Sequence, residues 1–287
     1  MFIRLRRKIT CGLCGKRMSK PNKLTVALLQ LDSGPDKEKN LQTAISLTNE
    51  AVQKKARFIL LPEVFNYRGP EAVFHQEPIP GISTFPLMDL AARAKVWILA
   101  GSIYEKIPGE EKVYNSSVLI GDDGEIKTVY RKIHLFDVSL SGKKIFESNV
   151  FNPGRHPVLG EVAGIKLGMT VCYDLRFPEL YRRYSKAGAK MIAVPSSFTH
   201  VTGQAHWEIL LRARAIENQS FILAPNQCGV GNRGIKTYGH SMIVDPWGGI
   251  LARASANRVE AVYAELDFAK LLQIREKFPA LNHRVLN

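Results

Sequence analysis

No uninterrupted apolar run in the 287-residue chain reaches the roughly 18 residues of a membrane-spanning helix, so no such span is expected. Cysteine is scarce. There are four, Cys11, Cys14, Cys172 and Cys228, and no secretory signal is recognisable. This argues against a disulfide-stapled scaffold and fits a reducing cytoplasm. The seven histidines show no paired ligand spacing, and Cys11-Gly-Leu-Cys14 is followed by no second ligand pair, so zinc gains no support. No internal repeat or low-complexity linker divides the chain.

Acid is missing from the start. The first acidic residue is Asp32, and residues 1–23 hold eight Lys or Arg. The formal net charge is +14, and without that segment it falls to about +6, an ordinary value for a domain of this size. No nucleic-acid partner is therefore expected for the folded part; such a role would have to rest on residues 1–23. That segment reads in three ways: a targeting or membrane-surface peptide, half of a metal site, or an over-long start before a working protein beginning at Met18. In each it is a basic extension, expected to be flexible and outside the core.

What is present alternates between two periods. Leu24–Leu31, Arg57–Leu61, Val96–Ser102, 164–171, Met191–Val194, Phe221–Pro225 and Ala261–Leu266 read as buried strands. Helical faces recur over 37–55, 84–95, 178–187, 204–218 and 267–277. Gly121-Asp-Asp-Gly124 and Asp245-Pro-Trp-Gly248 are hairpin signals, flanked by 114–120 with 126–130 and by 238–244 with 249–254. Residues 66–82 and 137–155 read as loops. Strands alternate with helices, yet hairpins interrupt them. The pattern predicts one α/β domain over 24–287, built on a mixed sheet or a pair of sheets with helices outside.

Three strands stop on a chemically capable side chain: Leu61-Pro62-Glu63, Tyr130-Arg131-Lys132 and Val171-Cys172. Ligand sites of α/β sheets lie at strand ends. Taken singly, each is ambiguous. Cys172 reads as a structural thiol or a nucleophile, Glu63 as a helix-start residue or a base, and Lys132 as a solvated charge or an oxyanion donor. Gathered, they would make a covalent hydrolase. Glu63 would take the thiol proton and later activate water. Cys172 would attack a carbonyl or nitrile carbon. Lys132 and the Tyr173 N–H would hold the oxyanion, and the ammonium would favour the thiolate.

On these motifs the chain resembles the nitrilase, or carbon–nitrogen hydrolase, superfamily over about residues 24–285. Glu63 in Leu-Pro-Glu, Lys132 in Tyr-Arg-Lys-Ile-His-Leu and Cys172 in Val-Cys-Tyr-Asp-Leu-Arg-Phe-Pro-Glu match its Glu–Lys–Cys triad in order and spacing. Glu147 in Phe-Glu-Ser matches the family's second glutamate, near the lysine. The resemblance implies a four-layer α-β-β-α sandwich, pairing into homodimers or higher homo-oligomers. It implies thioester chemistry with no metal or organic cofactor.

Residues 196–208, 211–217, 226–229 and 238–248 are similar to the amidase branch, which holds ω-amidases and deaminated-glutathione amidases. That likeness implies a small carboxylated linear amide as substrate, with deaminated glutathione favoured. The alternatives are α-ketoglutaramate, a nitrilase or N-carbamoyl amidohydrolase activity, or a non-catalytic binding or scaffold role on the same fold. Arg176, four residues past the cysteine, is a natural bidentate clamp for a carboxylate, or else an ion-pair partner of Asp174 or Glu179. Ser197 is a further substrate-binding candidate. His134 reads as a support for the lysine segment, and Cys228 as a buried wall of the pocket.

Overall fold

The computed structural model describes residues 22–140, 143–231 and 234–286. The expectations for Cys11, Cys14 and Met18 fall outside the described residues.

The first strand shows why two sheets are needed. In β1 (Lys23–Gln30) successive side chains point to opposite faces. Val26 and Leu28 join one apolar cluster and Ala27 and Leu29 another, all fully buried. A strand apolar on both faces must be covered on both. The first cluster lies between two sheets, where Leu60 and Leu99 meet Leu167, Met169, Met191 and Leu223. The second lies beneath α1 (Lys37–Gln53) and α2 (Phe85–Ala94), which contribute Ala44, Ala51, Leu87 and Leu90.

One six-stranded sheet holds β1, β2 (Phe58–Leu60), β3 (Trp97–Glu105), β4 (Tyr114–Ile120), β5 (Ile126–Arg131) and β14 (Glu260–Asp267), in spatial order β14-β1-β2-β3-β4-β5. The other holds β8 (Val158–Val162), β9 (Ile165–Met169), β10 (Met191–Ala193), β11 (Phe221–Ala224), β12 (Met242–Val244) and β13 (Ile250–Arg253), in order β13-β12-β11-β10-β9-β8. The middle strands of each sheet, β1-β2-β3 and β9-β10-β11, are parallel. Parallel neighbours require crossovers, and the crossovers place the helices. On the second sheet α3 (Pro178–Lys186) and α4 (His200–Asn218) pack Tyr181, Trp207 and Leu211 over Ile192, Val194 and Ile222. The layers therefore run α-β-β-α, as the resemblance implied. A last helix, α5 (Phe268–Lys277), inserts Phe268 and Leu271 into the inter-sheet cluster. Among the described residues no helix is long and apolar enough to cross a membrane.

The fold departs from the sequence reading in four places, each with a physical cause. The segment 137–155 is no featureless loop. It contains the two-stranded ribbon β6 (Asp137–Leu140) with β7 (Lys143–Phe146), then a 3-10 turn over Glu147–Asn149. A ribbon with one cross-strand apolar pair, Val138 opposite Ile145, leaves little period-2 signal. β8 also went unread, because it is a short edge strand interrupted by Gly160. The helix expected from 204 begins at His200, one turn earlier; its first turn contains Thr202 and Gly203, which are poor helix formers. The strand expected from 238 begins at Met242, because Gly239 and His240 both take positive φ.

One backbone contact ties the fold to the site. At Gly101 the β3–β4 pairing slips by a bulge, φ is 22°, and a Cβ would sit 1.8 Å from the Pro62 carbonyl oxygen. The bulge brings the Ser102 hydroxyl to within 3.0 Å of the Val64 N–H, which donates to it. Gly101→Ala is expected to push β3 from the Pro62–Val64 turn and lower stability by about 1–3 kcal/mol. Urea unfolding checks this, and an unchanged midpoint would contradict the close approach.

Candidate active site

β2 delivers a carboxylate to its C-terminal end. Past Leu60 the chain turns through Pro62-Glu63-Val64, and Val64 is held at φ 50°, a costly conformation for a β-branched residue. The turn is clamped from both sides. Gln227 Nε2 donates to the Glu63 carbonyl at 3.0 Å, opposite the Ser102 contact. The Glu63 carboxylate is buried and accepts three hydrogen bonds. Oε1 takes Lys132 Nζ at 3.1 Å and Asn115 Nδ2 at 2.9 Å, and Oε2 takes the Ser197 N–H at 2.8 Å.

Lys132 follows β5 directly and is 1% exposed. Its N–H donates to the Asn115 carbonyl at 2.9 Å, and its carbonyl accepts the Gly154 N–H at 2.7 Å. Gly154 is the glycine of Asn-Pro-Gly; a Cβ there would lie 2.0 Å from the Arg131 carbonyl oxygen. The Lys132 ammonium meets Glu147 Oε1 at 2.9 Å and Oε2 at 2.8 Å, besides Glu63. Glu147 is itself fixed by the Phe136 N–H, which donates to Oε2 at 2.7 Å. Burial opposes the ammonium's charge, but Glu147 and Glu63 outweigh it and push the Lys132 pKa well above the ordinary lysine value. Burial also raises Glu147, against the pull of Lys132.

The cysteine sits on a sharp turn between β9 and a 3-10 segment, Cys172–Arg176, that leads into α3. Cys172 has φ 48°, and its N–H donates to the Pro195 carbonyl at 2.9 Å. The turn is pinned by Asp174, which is fully buried. Asp174 accepts from the Val171 N–H at 2.9 Å, the Tyr130 hydroxyl at 2.7 Å and the His134 N–H at 3.0 Å. His134 Nδ1 adds a 2.7 Å contact. Tyr130 and His134 stand two residues either side of Lys132, so one carboxylate sets the lysine segment against the cysteine turn. Asp174 belongs to none of the expected site residues; its signal in the sequence is an acid two places after Cys172.

The Lys132 charge favours the Cys172 thiolate, but larger influences act against it. Burial is the largest influence on Cys172, the Glu63 charge adds to it, and Lys132 and the Ser197 N–H oppose them too weakly. The net effect raises the pKa well above the ordinary thiol value. Glu63 lines the same cavity as Cys172.

Glu63, Glu147 and Cys172 line one cavity of ≈ 190 Å³, with Tyr173, Arg176, Ser197 and Phe198 among its walls, and Lys132 is bonded to the two carboxylates. The Tyr173 N–H has no acceptor among the described residues. Arg176 pairs with neither Asp174 nor Glu179. Its guanidinium lies 5.3 Å from the Phe198 ring and 5.7 Å from the Tyr173 ring, and Nη1 is 3.3 Å from His206 Nδ1. Among the described residues no carboxylate pairs with it. Ser197 enters through its backbone N–H to Glu63. Cys228 does not line the cavity; its carbonyl accepts from Arg68 Nη2 at 2.9 Å, and Arg68 does. Burial pushes the Cys228 thiol up to about 11. Among the described residues no group of three or more His, Cys, Asp or Glu could hold a metal ion.

The sequence profile of the carbon-nitrogen hydrolases matches residues 25–276. The chain belongs to the carbon–nitrogen hydrolase family. It is 40% identical to the mouse deaminated glutathione amidase over 90% of this chain and 82% of that one. It is 41% identical to the deaminated glutathione amidase of Synechocystis, over 90% and 97%. Against the Drosophila nitrilase and fragile histidine triad fusion protein NitFhit the identity is 38%, and the match spans 94% of this chain but only 60% of the fusion. Among solved structures, Saccharomyces cerevisiae Nit3 superposes with a TM-score of 0.82 at 34% identity, covering 92% of this chain and 97% of that one.

A carbon–nitrogen hydrolase site with a protonated resting thiol has a direct signature. Alkylation of Cys172 by iodoacetamide is expected to accelerate by about tenfold per pH unit from about pH 6 to about pH 9 without levelling. Rates that plateau at neutral pH would instead mean a resting thiolate.

Proposed function

We propose that this carbon–nitrogen hydrolase is a thiol amidase that opens small carboxylated linear amides through a Cys172 thioester. The observation that carries the reading is that Glu63, Glu147 and Cys172 line one small cavity, with Lys132 bonded to both carboxylates. Cys172 Sγ bonds to the amide carbon while its proton moves to Glu63. Lys132 and the Tyr173 N–H stabilise the oxyanion. The C–N bond then breaks, and Glu63 hands its proton to the leaving nitrogen. Water enters, gives a proton to Glu63 and bonds to the thioester carbon. The C–S bond breaks, and the thiol regains its proton.

Arg176 holds the substrate's carboxylate on the opposite wall. Ser197 contributes to that pocket by positioning Glu63. The favoured substrate is deaminated glutathione, supported by the names of the mouse and Synechocystis relatives. Residues 24–287 act as one hydrolase domain, with 1–23 a basic extension. The enzyme works in the cytoplasm as a homodimer, without a nucleic-acid or membrane partner. Free Cys172 and Cys228 fit a reducing compartment.

Hydrolysis of deaminated glutathione, α-ketoglutaramate, a nitrile and an N-carbamoyl acid, measured side by side, tests the substrate class. Cleavage of only the last two would overturn it. On the best substrate, Cys172→Ala is expected to abolish turnover with the unfolding midpoint retained. Glu63→Gln is expected to slow both acylation and deacylation, by about 10²–10⁴ each. A full-rate first burst of product from Glu63→Gln contradicts its role in acylation.

A further inference from the structure

Tyr104 stands near the end of β3 and is 7% exposed. Its ring packs against Phe151, with centroids 5.5 Å apart, and edge-on to Tyr67 at 6.4 Å. Its hydroxyl has no hydrogen-bond partner among the described residues. Unlike Asn115 Oδ1 and Ser117 Oγ, which also lack partners, it is not sealed from solvent. Tyr104 lines the cavity with Glu63 and Cys172, so the hydroxyl opens there. Burial and the nearby Glu63 and Glu147 charges raise its pKa, against the pull of Arg68. The phenol therefore keeps its proton and is a donor without an acceptor.

Arg68 lines the same cavity. Its Nε donates to the Ser33 carbonyl at 2.8 Å, Nη1 to Thr237 Oγ1 at 2.9 Å, and Nη2 to Asp32 Oδ1 at 2.7 Å and the Cys228 carbonyl at 2.9 Å. Of the two hydrogens on Nη1, one has no acceptor among the described residues. Gly231, on the same wall, puts no side chain over this guanidinium; a Cβ there would lie 3.1 Å from Nε.

We propose that Tyr104, with Arg68 beside it, is a specificity-determining residue that donates to an oxygen on the leaving half of the substrate. The inference rests on the thiol-amidase reading. In that reaction the expelled nitrogen takes its proton from Glu63, so whatever the nitrogen carries extends from the Glu63 side of the cavity. Tyr104 and Arg68 belong to that side: one is on β3, which pairs with β2, and the other is on the loop that continues from the Glu63 turn. Arg176 instead belongs to the cysteine segment. Tyr104 moves no proton; its hydroxyl only donates a hydrogen bond. A primary amide expels ammonia and leaves that donor unmatched. A secondary amide with a peptide-like leaving amine brings it a carbonyl or carboxylate oxygen. A site built to bond such a group discriminates against the analogue that lacks it.

Deaminated glutathione and α-ketoglutaramate share an acyl half and differ in what leaves, so they make the test pair. The experiment compares their kcat/KM in the wild type and in Tyr104→Phe, with the N-propyl amide of the same acid as a secondary amide that carries no leaving-group oxygen. Tyr104→Phe is expected to lower the deaminated glutathione rate by at least about tenfold, the effect of one lost hydrogen bond. The other two rates are expected to stay within about twofold, and the urea midpoint is expected to hold, because the hydroxyl has no partner to lose. Equal changes on all three substrates, or none on any, overturn the inference. In the wild type alone, the amide of glycine is expected to outrun the N-propyl amide, and equal rates count against the inference. The amides of glycine and of glycinamide separate the two oxygens: a Tyr104→Phe loss on both assigns the carbonyl, and a loss on the first alone assigns the carboxylate. If the wild type cleaves only the primary amide, the inference fails while the thiol-amidase reading stands. If it cleaves none, that reading has failed as well.

Discussion

An ammonium group removed from water needs compensating charge, and Lys132, at 1% exposure, has Glu63 and Glu147 within hydrogen-bond reach. Stripping one such ion of water costs several kcal/mol even after relaxation, so the site cannot hold the lysine without its carboxylates. The carboxylates arrive from different parts of the chain. Glu63 comes from the end of β2 and Glu147 from the turn after the β6–β7 ribbon. The sheet that carries β2 and β5, and the ribbon beyond it, must therefore be in place together before the charges balance. The price of leaving Lys132 unpaired is also why Gly154 matters: it lets the Asn-Pro-Gly loop close on the lysine's own carbonyl.

The second sheet leads into the Cys172 turn, and Asp174 joins the two halves. It accepts from Val171 on the cysteine turn and from Tyr130 and His134 on the lysine segment. The two reacting turns share a backbone feature as well: Val64 and Cys172 both occupy the left-handed region. Strain of this kind persists only where surrounding contacts over-determine it. Ser102, Gln227, Asp174 and Pro195 provide those contacts. Burial raises the pKa of the Cys172 thiol, and the Glu63 carboxylate lines the same cavity.

Much of this was legible in the sequence because it was written in strand ends. Glu63 and Cys172 each end a strongly apolar run, while Lys132 follows the mixed strand Ile126–Arg131. The pair of sheets was less legible, since periodicity shows that a strand is buried and not what covers it; the family resemblance supplied the sandwich. Asn115 and Asp174 escaped because a polar residue at a strand start or after a turn is common, and only long-range contacts distinguish these two. The β6–β7 ribbon escaped for a different reason: its exposed face carries the same polar residues a loop would. A sequence shows nearby charge but not desolvation, and burial is the largest influence on the Cys172 thiol.

The account stands or falls on a covalent bond to one sulfur. Acid quenching of the wild-type protein during turnover of a good amide, followed by peptide mass spectrometry, measures it directly. The account predicts that the peptide containing Cys172 gains the mass of the substrate's acyl group, that the peptide containing Cys228 does not, and that Glu63→Gln yields the adduct only slowly. Steady turnover with Cys172 never acylated would contradict it.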